Sequence, residues 1–408
     1  MTDLPAELTT GERIRHVRER RGMSRNVTAG LVGRSADWLK KIENGERELR
    51  GVTLLVKLAQ VLHVDDVSVL TGDSVSIPTD QPGKVSHPAV VEIRKAMHSV
   101  SFQPAPEEPA SAVALRGRVE QAWRLWHTSP NQRTEVGALL PDLLRETHGA
   151  VRAHQGTERR MSYAALADLY RLVQRMLAHI SEPELYWLAL DRARDASEQA
   201  DDPVSLALGA WTVSIGQRAV GFVDEAVHTA ELGMQLVRPL LDSGRSEILA
   251  AYGQLHLQAA CTHGLDGVSG PAERHLDEAA RIAALLPDGY WHAQSAFGTS
   301  NVAIYGVSIG VGLRRPGEAL LRSEHIDPES IPSLERRSRL LLDIAFGYHQ
   351  KKEITAAVHY LGEAIAVTPE GVRYVPGART LAAALERKAV GPLRRAAVEL
   401  AESIGVAA

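Results

Sequence analysis

GMSRNVTAGLVGRSADWLKKIENG, residues 22–45, has the spacing of a short helix, a tight glycine turn, a second helix and a stop. Ser24 is placed to cap a helix over 24–32, with Val27, Ala29 and Leu31 expected to face a core. Gly33 supplies the turn, where a side chain would obstruct the approach of the next helix. The second helix, expected over 35–43, buries Leu39 and Ile42 at a spacing of three. That leaves Ala36, Asp37, Lys40 and Lys41 on the opposite face, where they can meet the base edges of a DNA major groove.

Outward from this core, residues 9–72 add further features in a fixed order. An Arg-rich first helix turns Ile14 and Val17 inward, and Ala29 is small where helices cross. Glu43-Asn44-Gly45 forms an exit, and the helix LLVKLAQVL leads into His63-Val64. In order and spacing the segment resembles the Cro/repressor-type (XRE) helix-turn-helix family. The resemblance implies that Arg18, Arg20, Arg21, Arg25, Arg47 and Arg50, which flank the recognition helix, contact phosphates and fix register without specifying sequence. Two residues depart from the family pattern. The residue after the cap of helix two is usually Gln, gripping phosphate and the base-reading side chains, and here it is Arg25; a full charge still holds phosphate. Asp37 places a carboxylate in the groove, where it is tolerated only by accepting from a cytosine amino group.

Charge supports a nucleic-acid role for the front of the chain. Residues 1–72 carry 12 Lys or Arg against 10 Asp or Glu, and the remainder carries 34 against 40. So modest a surplus suits a site-specific reader of double-stranded DNA more than a general nucleic-acid coat. At 408 residues the chain has far more than such a head requires, with 44% apolar residues to build a second core. A single cysteine, Cys261, excludes a disulfide framework and a thiolate cluster and suits a reducing cytoplasm. The first residues lack a signal peptide's apolar stretch, and no later run is long enough to span a membrane. The sixteen histidines are scattered, without HExxH or CxxC, so neither metal nor other cofactor is expected. No serine or cysteine sits in a recognisable nucleophile setting, and no enzymatic activity is expected.

The expected organisation is a DNA-binding domain over 1–72, a linker with one short helix over 73–112, and a helical repeat domain over 113–408. Pro78, Pro82 and Pro88 mark the linker. In LLLDIAFGYHQKKEITAAVHYLGEAIAVTP, Leu341, Ile344, Ala345, Tyr348, Ala357, Leu361, Ala364 and Pro369 fall on the positions of a tetratricopeptide repeat. Its second-helix signature recurs at Ala189, Ala193 and Ala196, at Ala226, Ala230 and Gly233, at Ala272, Leu276 and Ala279, and at Ala319. Small residues are needed there because the two helices of a pair cross closely. The fold class is therefore all-α: a Cro/repressor-type helix-turn-helix domain joined to an α-solenoid of degenerate tetratricopeptide-like pairs. About five pairs are expected, with an entry pair over 113–151 and a closing pair over 376–404.

The combination resembles a bacterial class of transcription regulators, and AFGTSNVAIYGVSIGVGLRRPGEAL is similar to a segment recurrent in them. Projecting the repeat register puts Arg171, Gln174, Trp211, Arg218, Gln254, Asn301, Ser308, Arg339, Phe346, His349 and Gln350 on the concave side, together with Cys261. Amides can pair with an extended peptide backbone, arginines with a carboxylate, and Trp or Phe with an apolar side chain. In the related peptide-sensing regulators of quorum signalling, such a groove holds a short peptide or a small inhibitor. The leading expectation is a cytoplasmic homodimer that binds a palindromic operator and senses a peptide or small-molecule ligand. The alternative is a protein-interaction adaptor with a degenerate or docking helix-turn-helix, which Arg25 and Asp37 favour.

Overall fold

The computed structural model describes residues 8–47, 49, 52–62, 64, 67–71, 86–99, 104–180 and 182–406, and every regular element among them is helical. The chain divides into two compact units, Met1–Gly83 and Lys84–Ala408.

In the first unit α1 (Thr10–Arg20), α2 (Arg25–Leu31), α3 (Ala36–Glu43), α4 (Val52–Val61) and α5 (Ser68–Thr71) enclose one small core. Each of the first three helices begins on a hydroxyl cap. Thr9 and Glu12 cap one another across the first turn of α1, while Ser24 accepts from the Val27 amide at 3.3 Å and Ser35 from the Trp38 amide at 3.2 Å. Gly33 sits between α2 and α3 at φ +73°, a left-handed conformation that a side chain would strain. At the crossing of α1 and α3, a Cβ on Gly11 would lie 2.1 Å from the Ile42 carbonyl oxygen, so the first helix can pass only over a glycine. Ile14, Ala29, Val32, Trp38, Leu39, Ile42, Leu58 and Leu62 form the buried centre.

Helix α2 corrects one expectation. Val27 and Leu31 are 53% and 62% exposed, while Thr28, Ala29 and Val32 are buried. Alternate residues lie about 200° apart around a helix, so 27, 29 and 31 share a face only in a strand; 28, 29 and 32 share one in a helix.

The second unit begins earlier than the expected boundary at 113. Helix α6 (Val90–Ser99) packs against α8 through Val90, Ile93, Ala96 and Met97, and Arg94 bridges to Glu182 and Glu184. Of the linker prolines, Pro88 stands just before α6; Pro78 and Pro82 lie outside the described residues. Then come stacked hairpins: α7 (Ala112–Thr128) with α8 (Gln132–Ala153), α9 (Gly156–Leu177) with α10 (Pro183–Ala200), and α11 (Pro203–Ala219) with α12 (Val223–Val237). They continue as α13 (Ser246–Leu265) with α14 (Ser269–Ala283), α15 (Thr299–Gly312) with α16 (Pro316–Ser323), and α17 (Leu334–Gln350) with α18 (Ile354–Val367). After the one-turn helix α19 (Pro369–Arg373), α20 (Pro376–Lys388) and α21 (Pro392–Ser403) close the array. Ala189, Ala193, Ala226, Ala230, Ala272, Ala279, Ala319, Ala357 and Ala364 are all fully buried, which is what close crossing within each hairpin requires.

Two features of this array are not periodic. The late helices return to the early ones: α17 packs on α7 and α19 on α8. His127 and Ser333 share a hydrogen bond of 2.8 Å, and the Glu370 carboxylate accepts from the Arg133 and Thr134 amides at 2.9 and 3.0 Å, capping α8. Between α14 and α15, residues 284–298 leave the stack and cross to α7 and α9. There the Trp291 ring meets His127 edge-on at 5.2 Å and the Gln294 side-chain amide oxygen accepts from the Arg171 Nε–H at 3.2 Å. Phe297 anchors this crossing loop against Gly253, where a Cβ would lie 2.0 Å from the ring.

Candidate functional site

Helix α3 is held from beneath and bare above. Trp38, Leu39 and Ile42 fasten it to the core; Asp37, Lys40 and Lys41 are exposed and Ala36 is half-exposed. A salt bridge of 2.8 Å joins Asp37 to Lys41 one turn along, and this lowers the Asp37 pKa. Lys40 makes no ion pair or hydrogen bond among the described residues, so the outward face carries one unopposed cation and one neutralised pair. Beside it an open cleft of ≈ 910 Å³ is lined by Gly33, Arg34, Ser35, Trp38 and Arg47 at the helix-turn-helix junction. Arg34 and Arg47 are exposed there, next to the amino end of α3, whose backbone dipole favours a phosphate.

The flanking arginines separate into two groups. Arg20, Arg21 and Arg47 are exposed. Arg18 is not, and its expected phosphate contact is corrected. Its side chain is only 6% exposed and grips the fully buried Glu43 at 2.5 and 3.1 Å while donating to the Met23 carbonyl at 2.8 Å. Glu43 holds the Arg18 pKa above its ordinary value. Arg25 also donates to Glu43, at 2.6 Å, so its guanidinium is partly committed inward and joins α2 to α3. Arg50 lies outside the described residues. Arg34 was missed because a residue after a turn glycine carries no periodic signal; only its charge pointed outward.

The residues projected onto the concave side of the repeat fare unevenly. Arg171 is corrected: it is buried and fully engaged by Asp168, Ser197 and Gln294, a strut for the crossing loop. Gln174 donates to the Tyr186 hydroxyl at 2.7 Å, Arg218 reaches the Cys261 sulfur at 2.7 Å, and Ser308 donates to Asp343. Phe346 is half-buried against the terminal helices. Trp211, Gln254, Asn301, His349 and Gln350 each keep a buried polar atom with no hydrogen-bond partner, including both amide atoms of Gln254. Asn301 lines a cavity of ≈ 120 Å³ between the crossing loop and α17.

Arg339 opens onto a second cleft, where Arg175 and His179 from the end of α9 meet Glu335 from the start of α17. Burial alone would raise the Glu335 pKa, but Arg336, Arg175 and Arg339 hold it at about 2. His179 is exposed in this cleft, beside Arg133, Arg175 and Arg339. Sequence reasoning missed Arg175, His179 and Glu335. The available signal was the i, i+4 pairing of 171 with 175 and of 335 with 339, which sets charge along one face of each helix; His179 lies past the end of α9 and carries no such signal.

Residues 10–70 match the helix-turn-helix domain family. No curated protein matches the chain. No helix among the described residues is long and apolar enough to cross a membrane. The first unit is a helix-turn-helix DNA-binding domain and the chain a DNA-binding regulator, on that match and on the geometry of α3.

Proposed function

We propose that this chain is a homodimeric, sequence-specific transcription regulator of the bacterial XRE type, without catalytic activity, whose helical repeat senses a small ligand or peptide. The observation that carries the proposal is α3: buried through Trp38, Leu39 and Ile42, exposed through Asp37, Lys40 and Lys41, and flanked by an arginine-lined cleft. A helix so held can enter a major groove while Arg34 and Arg47 hold the backbone on either side. One such head makes too few contacts for useful selectivity over genomic DNA, so two heads on a palindromic operator are expected. Ligand control then works through the repeat: a ligand that favours one curvature of the stacked hairpins changes the spacing of the two heads. The unpartnered polar atoms of Trp211, Gln254 and Asn301 support a ligand-binding interior.

The Asp37–Lys41 pair, which removes charge from the face that meets DNA, favours a second reading, in which α3 docks a protein and the chain is an adaptor. The double change Lys40→Ala, Lys41→Ala separates the two. Operator affinity measured by fluorescence anisotropy falls about tenfold or more, with unchanged melting, if α3 reads DNA; unchanged affinity favours the adaptor.

A further inference from the structure

The cleft between α9 and α17 is lined by more arginine than carboxylate: Arg133, Arg175 and Arg339 share it with Glu335, and Arg175 lies over the Trp211 ring at 5.7 Å. Arg175 and Arg339 at its mouth make no hydrogen bond or ion pair with any described residue. At its floor, Arg133 is fixed by the Met176 and Ala178 carbonyls and by the faces of Trp126 and Tyr374, 5.4 and 4.9 Å from the guanidinium carbon. That leaves the Arg133 Nε–H without an acceptor, and the Trp126 Nε1–H beside it likewise; both side chains are more than nine-tenths buried. His179, at φ +68°, is held in a left-handed conformation that costs a non-glycine residue energy and is kept where surrounding structure demands it. Among the residues lining the cleft, three guanidinium groups (Arg133, Arg175 and Arg339) stand against one carboxylate (Glu335), an excess of two positive charges. Burying unpaired donors and like charges together is unfavourable unless something of opposite charge arrives.

We propose that this cleft binds the phosphoryl group of a small phosphorylated ligand. The inference rests on the repeat being the ligand-binding half of the regulator. A phosphate dianion matches the charge excess, and its three oxygens match donors arriving from more than one direction, where a carboxylate offers two oxygens in one plane. The whole cleft holds ≈ 30 Å³, so beside Trp126 and Arg133 there is room for little more than a water-sized group. One phosphoryl oxygen therefore sits by Trp126 and Arg133, and the remainder lies between Arg175 and Arg339, with the rest of the ligand toward the interior of the repeat.

Inorganic phosphate is the probe. It is titrated into the full chain by calorimetry and thermal melting, at ionic strength matched with sodium chloride, with acetate and succinate as carboxylate controls. Phosphate is expected to bind saturably and raise the melting temperature, and both carboxylates to bind more weakly. Arg339→Gln is expected to weaken phosphate about tenfold or more. Arg175→Gln does the same, while Arg395→Gln, exposed on α21, leaves phosphate affinity unchanged. The proposal is overturned if phosphate shows no saturable binding, if succinate binds as tightly, or if the effect survives in both cleft variants. The measurement uses no DNA, so failure here leaves operator binding intact, and lost operator binding leaves this site intact.

Discussion

Glu43 joins three helices through two arginines, and its burial makes it the residue on which the shape of the DNA-binding unit most depends. Glu43→Gln leaves the buried Arg18 with only the exposed Glu19 as counter-charge, which costs about 3 kcal/mol. Differential scanning calorimetry of the full chain should show the transition of the first unit moving to lower temperature while that of the repeat stays fixed. Asp37 gives the opposite expectation. Its pair with Lys41 is exposed and adds little stability, and on the outward face of α3 its negative charge opposes a polyanion. Asp37→Ala should therefore leave melting unchanged and tighten DNA binding several-fold, the gain shrinking as salt rises. An unchanged affinity would place Asp37 away from DNA. Most of the recognition face was legible from sequence, since Leu39 and Ile42 fix which side of α3 is buried. Arg18 was not: an arginine on a basic helix reads as a surface charge until its distant carboxylate is brought beside it by the fold.

At the scale of the element, the hairpins of the repeat were legible because the requirement is steric and local. An alanine at each crossing reports how closely two helices must approach, and all those named are buried. Replacing Ala230 with Leu should cost about 1–3 kcal/mol by overpacking, read as a lower denaturant midpoint. Val27→Ala on exposed α2 should change it negligibly. At Val27 and Leu31 the alternating pattern points to the wrong face, because seven residues of α2 hold too few apolar positions to separate a period of two from one of 3.6. The crossing loop over 284–298 was invisible for a different reason. It has no periodicity, and its partners Arg171 and His127 lie more than a hundred residues away in the chain. The cleft beside α9 and α17 was therefore only partly legible: the repeat register brings out Arg339, the loop engages Arg171 through Gln294, and Arg175 and Glu335 carry no signal beyond their i, i+4 spacing that sets them apart from other helix charges.

Across the whole molecule, histidine burial dictates a response to pH. His127, His148, His256 and His292 are each pushed by burial from 6.5 to about 4. The sign follows from linkage: below pH 6.5 the unfolded chain takes up protons at these sites that the folded chain refuses, so their contribution, full above 6.5, is lost as pH falls toward 4. With four sites the slope near pH 5 approaches about 5 kcal/mol per pH unit. The unfolding free energy of the repeat, from denaturant titrations at pH 7 and pH 5, should drop steeply, and His127→Gln should flatten the slope by about one proton. Equal stability at the two values would mean that these rings are hydrated in the folded chain.

The central claim is that α3 lies in a major groove and that two copies do so together. Footprinting of DNA upstream of the chain's own gene, with the native chain and with Lys40→Ala, Lys41→Ala side by side, tests it most directly. The account predicts a palindromic footprint with half-sites one helical turn apart, or a multiple of it, that disappears in the double variant while the protein remains folded. The same footprint from both proteins would contradict it.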